Sequence, residues 1–356
     1  MQQRDFIELI SGRRRGVLAA VMRLWLRFAS WWFACGAGLR LALYSWGVFK
    51  RHDAGVPVIC VGNLTTGGTG KTPAVAWVVN ALLLLGRKPC IVSRGYKGGD
   101  DGNDELRVLA ELCPGVPHIQ NPDRVAAARK AKADGADVVV LDDGFSHVRL
   151  RRRLDVLMFD SLNPFGFGRM LPRGLLREPI RSVRRARFAV FSRADVATPE
   201  RLRDLEDTIR CKGFVGDVAH AAHTPLRLVR LGGDEELSPQ ALKGLTVAPF
   251  CGIGNPLGFQ RTLEAAGAVI SGVGVLQLDD HQHMDARLAK RQIEPFLRAS
   301  KEAGAVMALC TQKDAVKLRA LAPDMTAELP IYELRVEFRI LKGEEDLRRA
   351  LANALG

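Results

Sequence analysis

Lys71 and Thr72 close the run TGGTGKTP at residues 66–73, the densest patch of potential chemistry in the chain. Gly67, Gly68 and Gly70 allow backbone N–H groups to turn inward around phosphate oxygens, with Thr66 and Thr69 between them. Lys71 is placed to reach the β- and γ-phosphates of a nucleotide, and the Thr72 hydroxyl to ligate Mg²⁺. Thr65 stands where the general G-x-x-x-x-G-K-[ST] pattern has its first glycine. About seventy residues further on, DVVVLDD at 137–143 is an apolar run ending in two carboxylates, the form of a strand-edge acid that holds Mg²⁺ or its water.

Such side chains work only if a strand, a turn and a helix deliver them. The apolar run 56–61 reads as the strand and 74–85 as the helix, with Gly86 as its stop and Pro73 tolerated in the first turn. Residues 154–160 and 187–192 read as further strands, and Asn121-Pro122-Asp123 opens another helix. Strands alternating with helices imply an α/β fold: a P-loop NTPase-like, doubly wound, mainly parallel sheet with ligands at its carboxyl edge. Beyond Gly232-Gly233 come a strand at 245–251, a helix after Pro256 and a strand at 305–311, expected to form a smaller α/β domain. The expected division is 1–50, an interfacial helical segment; 51–231, the P-loop domain; and 232–356, which contributes to the cleft.

Seven cysteines without a C-x-x-C pair support neither a disulfide framework nor a zinc site. The charge of +13 is concentrated rather than spread. Residues 1–51 hold nine basic and two acidic side chains, and 149–187 hold eleven arginines against Asp155, Asp160 and Glu178. Such windows suit an acidic partner met at a defined surface, or solvated arginine faces. No helix-turn-helix, RNA-binding aromatic motif or zinc module accompanies them, so nucleic acid is not expected.

Trp25, Trp31, Trp32 and Phe33 lie among Arg23, Arg27 and Arg40, and the longest charge-free run, 28–39, is twelve residues. A span needs roughly 20 apolar residues. The pattern suits a helix lying in a membrane interface, with arginines on phosphates. A helix packed on the domain is the alternative. A cleaved export signal fits poorly with the nucleotide motif that follows.

Several further blocks stand in order around the P-loop: VSRGY at 92–96, NDE at 103–105, Asp123-Arg124, DDGFSH at 142–147, LPRGLLREP at 171–179, FCGIGNP at 250–256, Asp280-His281 and TQKDAV at 311–316. Together they resemble the tetraacyldisaccharide 4'-kinases across nearly the whole chain. The resemblance implies transfer of the ATP γ-phosphoryl group to the 4'-hydroxyl of an acylated glucosamine disaccharide 1-phosphate in lipid A biosynthesis. It also implies Mg²⁺ as cofactor, an anionic membrane surface as partner, and a peripheral place on the cytoplasmic face of the bacterial inner membrane. By the same resemblance Asp104 is the catalytic carboxylate, with His281 beside it in activating the hydroxyl. Lys71 and Thr72 serve ATP and Mg²⁺, Arg124, Arg177 and Glu178 handle substrate, and Asp142 and Asp143 form the acidic pair near the metal. Read alone, His281 is a surface histidine in the polar run 279–285. Asn103, Ser146 and Gln312 depart from the family's usual Gly, Gln and Glu. A membrane-partitioning P-loop ATPase would carry lysine where Thr66 stands.

Overall fold

The computed structural model describes residues 3–95, 104–279, 284–319 and 328–356. Two helices, α1 (Gln3–Ser11) and α2 (Val17–Ser45), come first. Next are β1 (Val58–Asn63), α3 (Lys71–Leu84), β2 (Pro89–Ser93), α4 (Asp104–Leu112), β3 (His118–Gln120) and α5 (Arg124–Ala133). The alternation continues with β4 (Val138–Asp142), β5 (Leu154–Asp160), β6 (Phe188–Ser192), α6 (Pro199–Cys211) and β7 (Asp217–Arg230). The remainder holds β8 (Thr246–Cys251), α7 (Pro256–Ala265), β9 (Val269–Ile270), α8 (Glu294–Glu302), β10 (Met307–Thr311), α9 (Gln312–Leu318), β11 (Ile331–Lys342) and α10 (Glu344–Leu355).

The chain divides into two compact units. One takes the N-terminal part to β2, residues 109–222 and 340–356; the other takes residues up to 108 from the start of α4, and 223–339. This partition differs from the expected one in where it cuts. Gly232-Gly233 marks only the turn after β7, and the C-terminal helix α10 returns to the first unit.

In the first unit the strand order is β3-β2-β4-β1-β5-β6-β7, parallel throughout. Every residue of β1, β2, β4, β5 and β6 is buried. That is why these strands read as continuous apolar runs rather than alternating ones. The core joins Cys60, Val92, Leu141, Leu157 and Phe191 to Val125 and Ala128 of α5 and Leu205 and Ile209 of α6. With β1 between β4 and β5, the loops after all three strands open on one edge. In the second unit the order is β9-β8-β10-β11, again parallel.

α2 is one unbroken helix, about 44 Å long at the standard rise. Its arginines do not break it, because straight-chain residues are good helix formers. Arg23 donates to the Arg14 carbonyl at 2.7 Å. By length and composition α2 could cross a membrane, longer than the charge-free run alone suggests. One stripe docks on the first unit: Ala19 and Ser30 are buried, and the Ser30 hydroxyl donates to the Met170 carbonyl at 2.8 Å. The opposite face exposes Trp25 and Trp32 at 71% each.

Candidate active site at the carboxyl edge of the first sheet

β1 runs two residues beyond the apolar pattern, which brings Asn63 into the strand, fully buried. Just before it, a side chain at Gly62 would come within 2.7 Å of Phe145 Cβ and 2.9 Å of its backbone nitrogen, so the loop after β4 sits directly on β1. The phosphate-type loop then leads into α3, which begins at Lys71 rather than at the first apolar position. Gly70 caps the helix at φ +77°, a conformation glycine adopts without steric cost. The first-turn N–H groups of a helix lack intrahelical partners, which suits those of Lys71 and Thr72 to an anion.

The loop is braced from β6. Ser192 Oγ donates to the Thr69 carbonyl at 2.9 Å, and Arg193 donates to the Gly68 carbonyl at 3.4 Å. Arg193 is in turn held by Asp160 at 2.9 Å, both side chains largely buried. On the other flank, the Thr66 N–H donates to the Leu175 carbonyl and the Arg177 N–H to the Leu64 carbonyl, each at 2.7 Å. Thr69 Oγ1 is buried without a hydrogen-bond partner among the described residues, a donor that a phosphate oxygen would satisfy.

Lys71 Nζ donates to Asn63 Oδ1 at 3.3 Å and stands 3.9 Å from Asp143. Arg177 grips Asp143 with both terminal nitrogens, at 2.9 and 2.6 Å, and also reaches Asn63 Oδ1. This two-point fork is the strong form of the pairing. Asp143 adopts φ +51°, uncommon for a residue other than glycine, and so turns its carboxylate away from the line of β4. Desolvation opposes the charge on Asp143, but Lys71 and Arg177 outweigh it and hold the carboxyl far below the usual carboxylate range. Asp142, at the end of β4, is buried.

Arg124, the first residue of α5, is 8% exposed, and its Nε has no hydrogen-bond partner among the described residues. Burial and the charge of Arg94 both disfavour its cation, while Asp143 and Asp142 favour it. Lys71, Arg94, Arg124 and Arg177 thus converge with Asp142 and Asp143 on one strand edge. His147 is held down to about 4 by burial and by Arg124 and Arg152, so it is neutral at pH 7 and adds no cation.

Glu178 has no exposed surface. Its carboxylate meets Arg185 at 2.5 Å and, on the other side, Arg40 of α2 at 3.6 Å. Arg185 also lies 4.2 Å over the Phe145 ring. Glu178→Ala would leave the Arg185 guanidinium buried without its counter-charge, which is expected to cost about 3–5 kcal/mol. A thermal midpoint within a degree of wild type would count against this. Arg152 is likewise turned inward, 2.9 Å from buried Asp155. Two members of the 149–187 window therefore serve the core rather than a surface.

Asp104 begins α4 and belongs to the second unit, where Lys317 Nζ meets its carboxylate at 2.9 Å. His281 lies outside the described residues. The sequence assigns no role to Asn63, Arg94, Ser192, Arg193 or Asp160, although Asn63 and Arg94 stand inside its motifs. VSRGY was visible as a motif, but the braces from β6 join residues 123 and 125 positions apart and leave no local signal.

The family described as LpxK, tetraacyldisaccharide-1-P 4'-kinase, matches residues 22–356. A tetraacyldisaccharide 4'-kinase of Anaeromyxobacter sp. (strain K) is 39% identical over 98% of this chain and 95% of its own. One of Geobacter sulfurreducens is 33% identical over 94% of each chain. The crystal structure of the "apo" form of LpxK from Aquifex aeolicus in complex with ATP is similar at a TM-score of 0.68 and 25% identity. It covers 94% of this chain and all of that one.

Proposed function

This chain belongs to the LpxK family of tetraacyldisaccharide-1-P 4'-kinases, and from that premise we propose how its own residues carry the reaction. It is a lipid kinase of lipid A biosynthesis that transfers the γ-phosphoryl group of ATP to the 4'-hydroxyl of tetraacyldisaccharide 1-phosphate. The observation that carries the residue assignment is the convergence of Lys71, Arg94, Arg124 and Arg177 with Asp142 and Asp143 at one strand edge.

Phosphoryl transfer asks a protein for position and for cations where charge develops. The backbone from Thr66 to Thr72 cradles the phosphates of ATP, with Gly67, Gly68, Thr69 and Gly70 forming the turn. Lys71 leaves Asn63 and Asp143 for the phosphate oxygens, and Arg177 stays on Asp143 and keeps that carboxylate oriented. Arg124 meets a phosphate of the lipid or of the nucleotide. A hydroxyl at Thr72 and a carboxylate at Asp142 are hard oxygen donors that fit Mg²⁺, which takes few protein ligands beside phosphates and water. When bound, Mg²⁺ shields the phosphate charge. The Asp104 carboxylate, with His281 as its helper, accepts the proton of the 4'-hydroxyl.

The outward face of α2 rests on the bilayer at the cytoplasmic side of the inner membrane. Its support is the exposed row of Trp25, Phe28, Trp31 and Trp32, each at least 58% exposed, on a helix otherwise studded with arginine. The test follows labelled γ-phosphate from ATP onto the lipid disaccharide, with simple sugars and protein hydroxyls as control acceptors. Label only on the controls would overturn the reading. In the same preparation, Trp25→Ser with Trp32→Ser is expected to release the enzyme from phosphatidylglycerol vesicles while sparing ATP binding. Unchanged co-sedimentation would remove α2 from the membrane contact.

A further inference from the structure

We infer that Lys317 is a positioning residue for Asp104: it fixes the direction of the carboxylate that takes the proton of the sugar hydroxyl. The inference rests on Asp104 being the base.

Lys317 extends from α9, whose first turn is tightly built. Thr311 Oγ1 donates to Asp314 Oδ2 at 2.6 Å and accepts from the Asp314 N–H at 3.3 Å. The Gly252 N–H, just past β8, donates to Asp314 Oδ1 at 3.0 Å. Asp314 is fully buried, so this knot anchors α9 to the end of β8 and sets the place from which Lys317 reaches out. The lysine side chain is 6% exposed and the Asp104 side chain 22%, with Nζ to Oδ2 at 2.9 Å. An ammonium taken so far out of water needs an anion beside it, and losing one partner of such a pair is costly. An exposed pair would not carry this argument, since it is worth little and moves freely.

The other charged groups on these two helices are Glu105, Arg107 and Glu111 on α4 and Lys313 and Asp314 on α9. Lys317 also faces Asp314: burial raises that carboxyl, and the Thr311 hydrogen bond and Lys317 lower it. Arg319, just past α9, is paired with buried Glu333 at 3.1 Å. In the transfer step the hydroxyl oxygen bonds to the γ-phosphorus, the bond from that phosphorus to the oxygen of departing ADP breaks, and the proton passes to Asp104. Lys317 gives up no proton; it compensates the carboxylate's charge until the proton arrives.

The experiment measures kcat and KM for full-length Lys317→Met, Lys317→Gln and Lys317→Arg, with Asp104→Asn alongside and thermal midpoints as a check on folding. Lys317→Met and Lys317→Gln are expected to lower kcat by about 10- to 100-fold at unchanged KM for ATP. Lys317→Arg should recover most of the lost kcat, because it restores the cation beside the carboxylate. Wild-type kcat in both neutral variants, or a Lys317→Arg enzyme as slow as Lys317→Met with an unchanged thermal midpoint, overturns the inference. Wild-type turnover in Asp104→Asn overturns the base assignment itself, and the two failures are therefore distinct.

Discussion

Asp104→Asn is expected to lower kcat by about 10²- to 10⁴-fold, the contribution of a positioned proton acceptor in phosphoryl and acyl chemistry alike. The amide keeps the shape of the carboxylate but not its charge beside the buried Lys317, so thermal midpoints are read alongside to separate lost folding from lost chemistry. What it loses is the capacity to take a proton. Binding of a non-hydrolysable ATP analogue should be unchanged, because the residues assigned to the nucleotide lie in the other unit. If His281 works with Asp104 on one proton, His281→Ala with Asp104→Asn should be no slower than the worse single variant, since partners in one step are non-additive. Additive losses would separate the two residues.

Lys71→Ala is expected to cost about 10²- to 10³-fold in kcat, the loss found when one preorganised charge donor is taken from a transition state. The effect has two parts. The substitution removes the cation from the phosphate, and it strips Asn63 and Asp143 of a partner that now stands 3.3 and 3.9 Å from them. Lys71→Arg should not restore activity. A planar fork cannot take the place of a compact ammonium between Asn63 and the loop, where Arg177 already fills the neighbouring space. Single-turnover measurements at saturating ATP check this. A wild-type rate in Lys71→Ala would exclude the lysine from the chemical step.

The sheet of the first unit was legible because each of its central strands is buried on both faces, and Val, Ile and Leu had to run without interruption. The phosphate loop was legible for the opposite reason: glycines, lysine and threonine at that spacing have no packing purpose. The apolar period of α3 begins only at Ala74, because the first turn, from Lys71, follows the phosphate loop and carries none. The ion pairs could not be read at all. Arg177 with Asp143, Arg185 with Glu178, and Arg193 with Asp160 join residues whose neighbours in sequence look like any arginine-rich surface. Burial decides which arginine of a cluster becomes structural, and burial is a property of the assembled unit. The helix α2 shows a similar limit: its docked stripe of Ala19 and Ser30 is small and weakly patterned beside the tryptophans facing away.

Residues 170–178 touch α2 at both ends, through the Met170 carbonyl on Ser30 and Glu178 on Arg40. Between those ends, Leu175 and Arg177 are tied to Thr66, Leu64 and Asp143. The helix and the phosphate loop are thereby joined through one short segment. Were α2 bedded in the bilayer as proposed, its depth would dictate the height at which the phosphate loop stands. On that proposal the enzyme would act as a ruler, holding its nucleotide at a set elevation while the acyl chains of the substrate stay in the lipid.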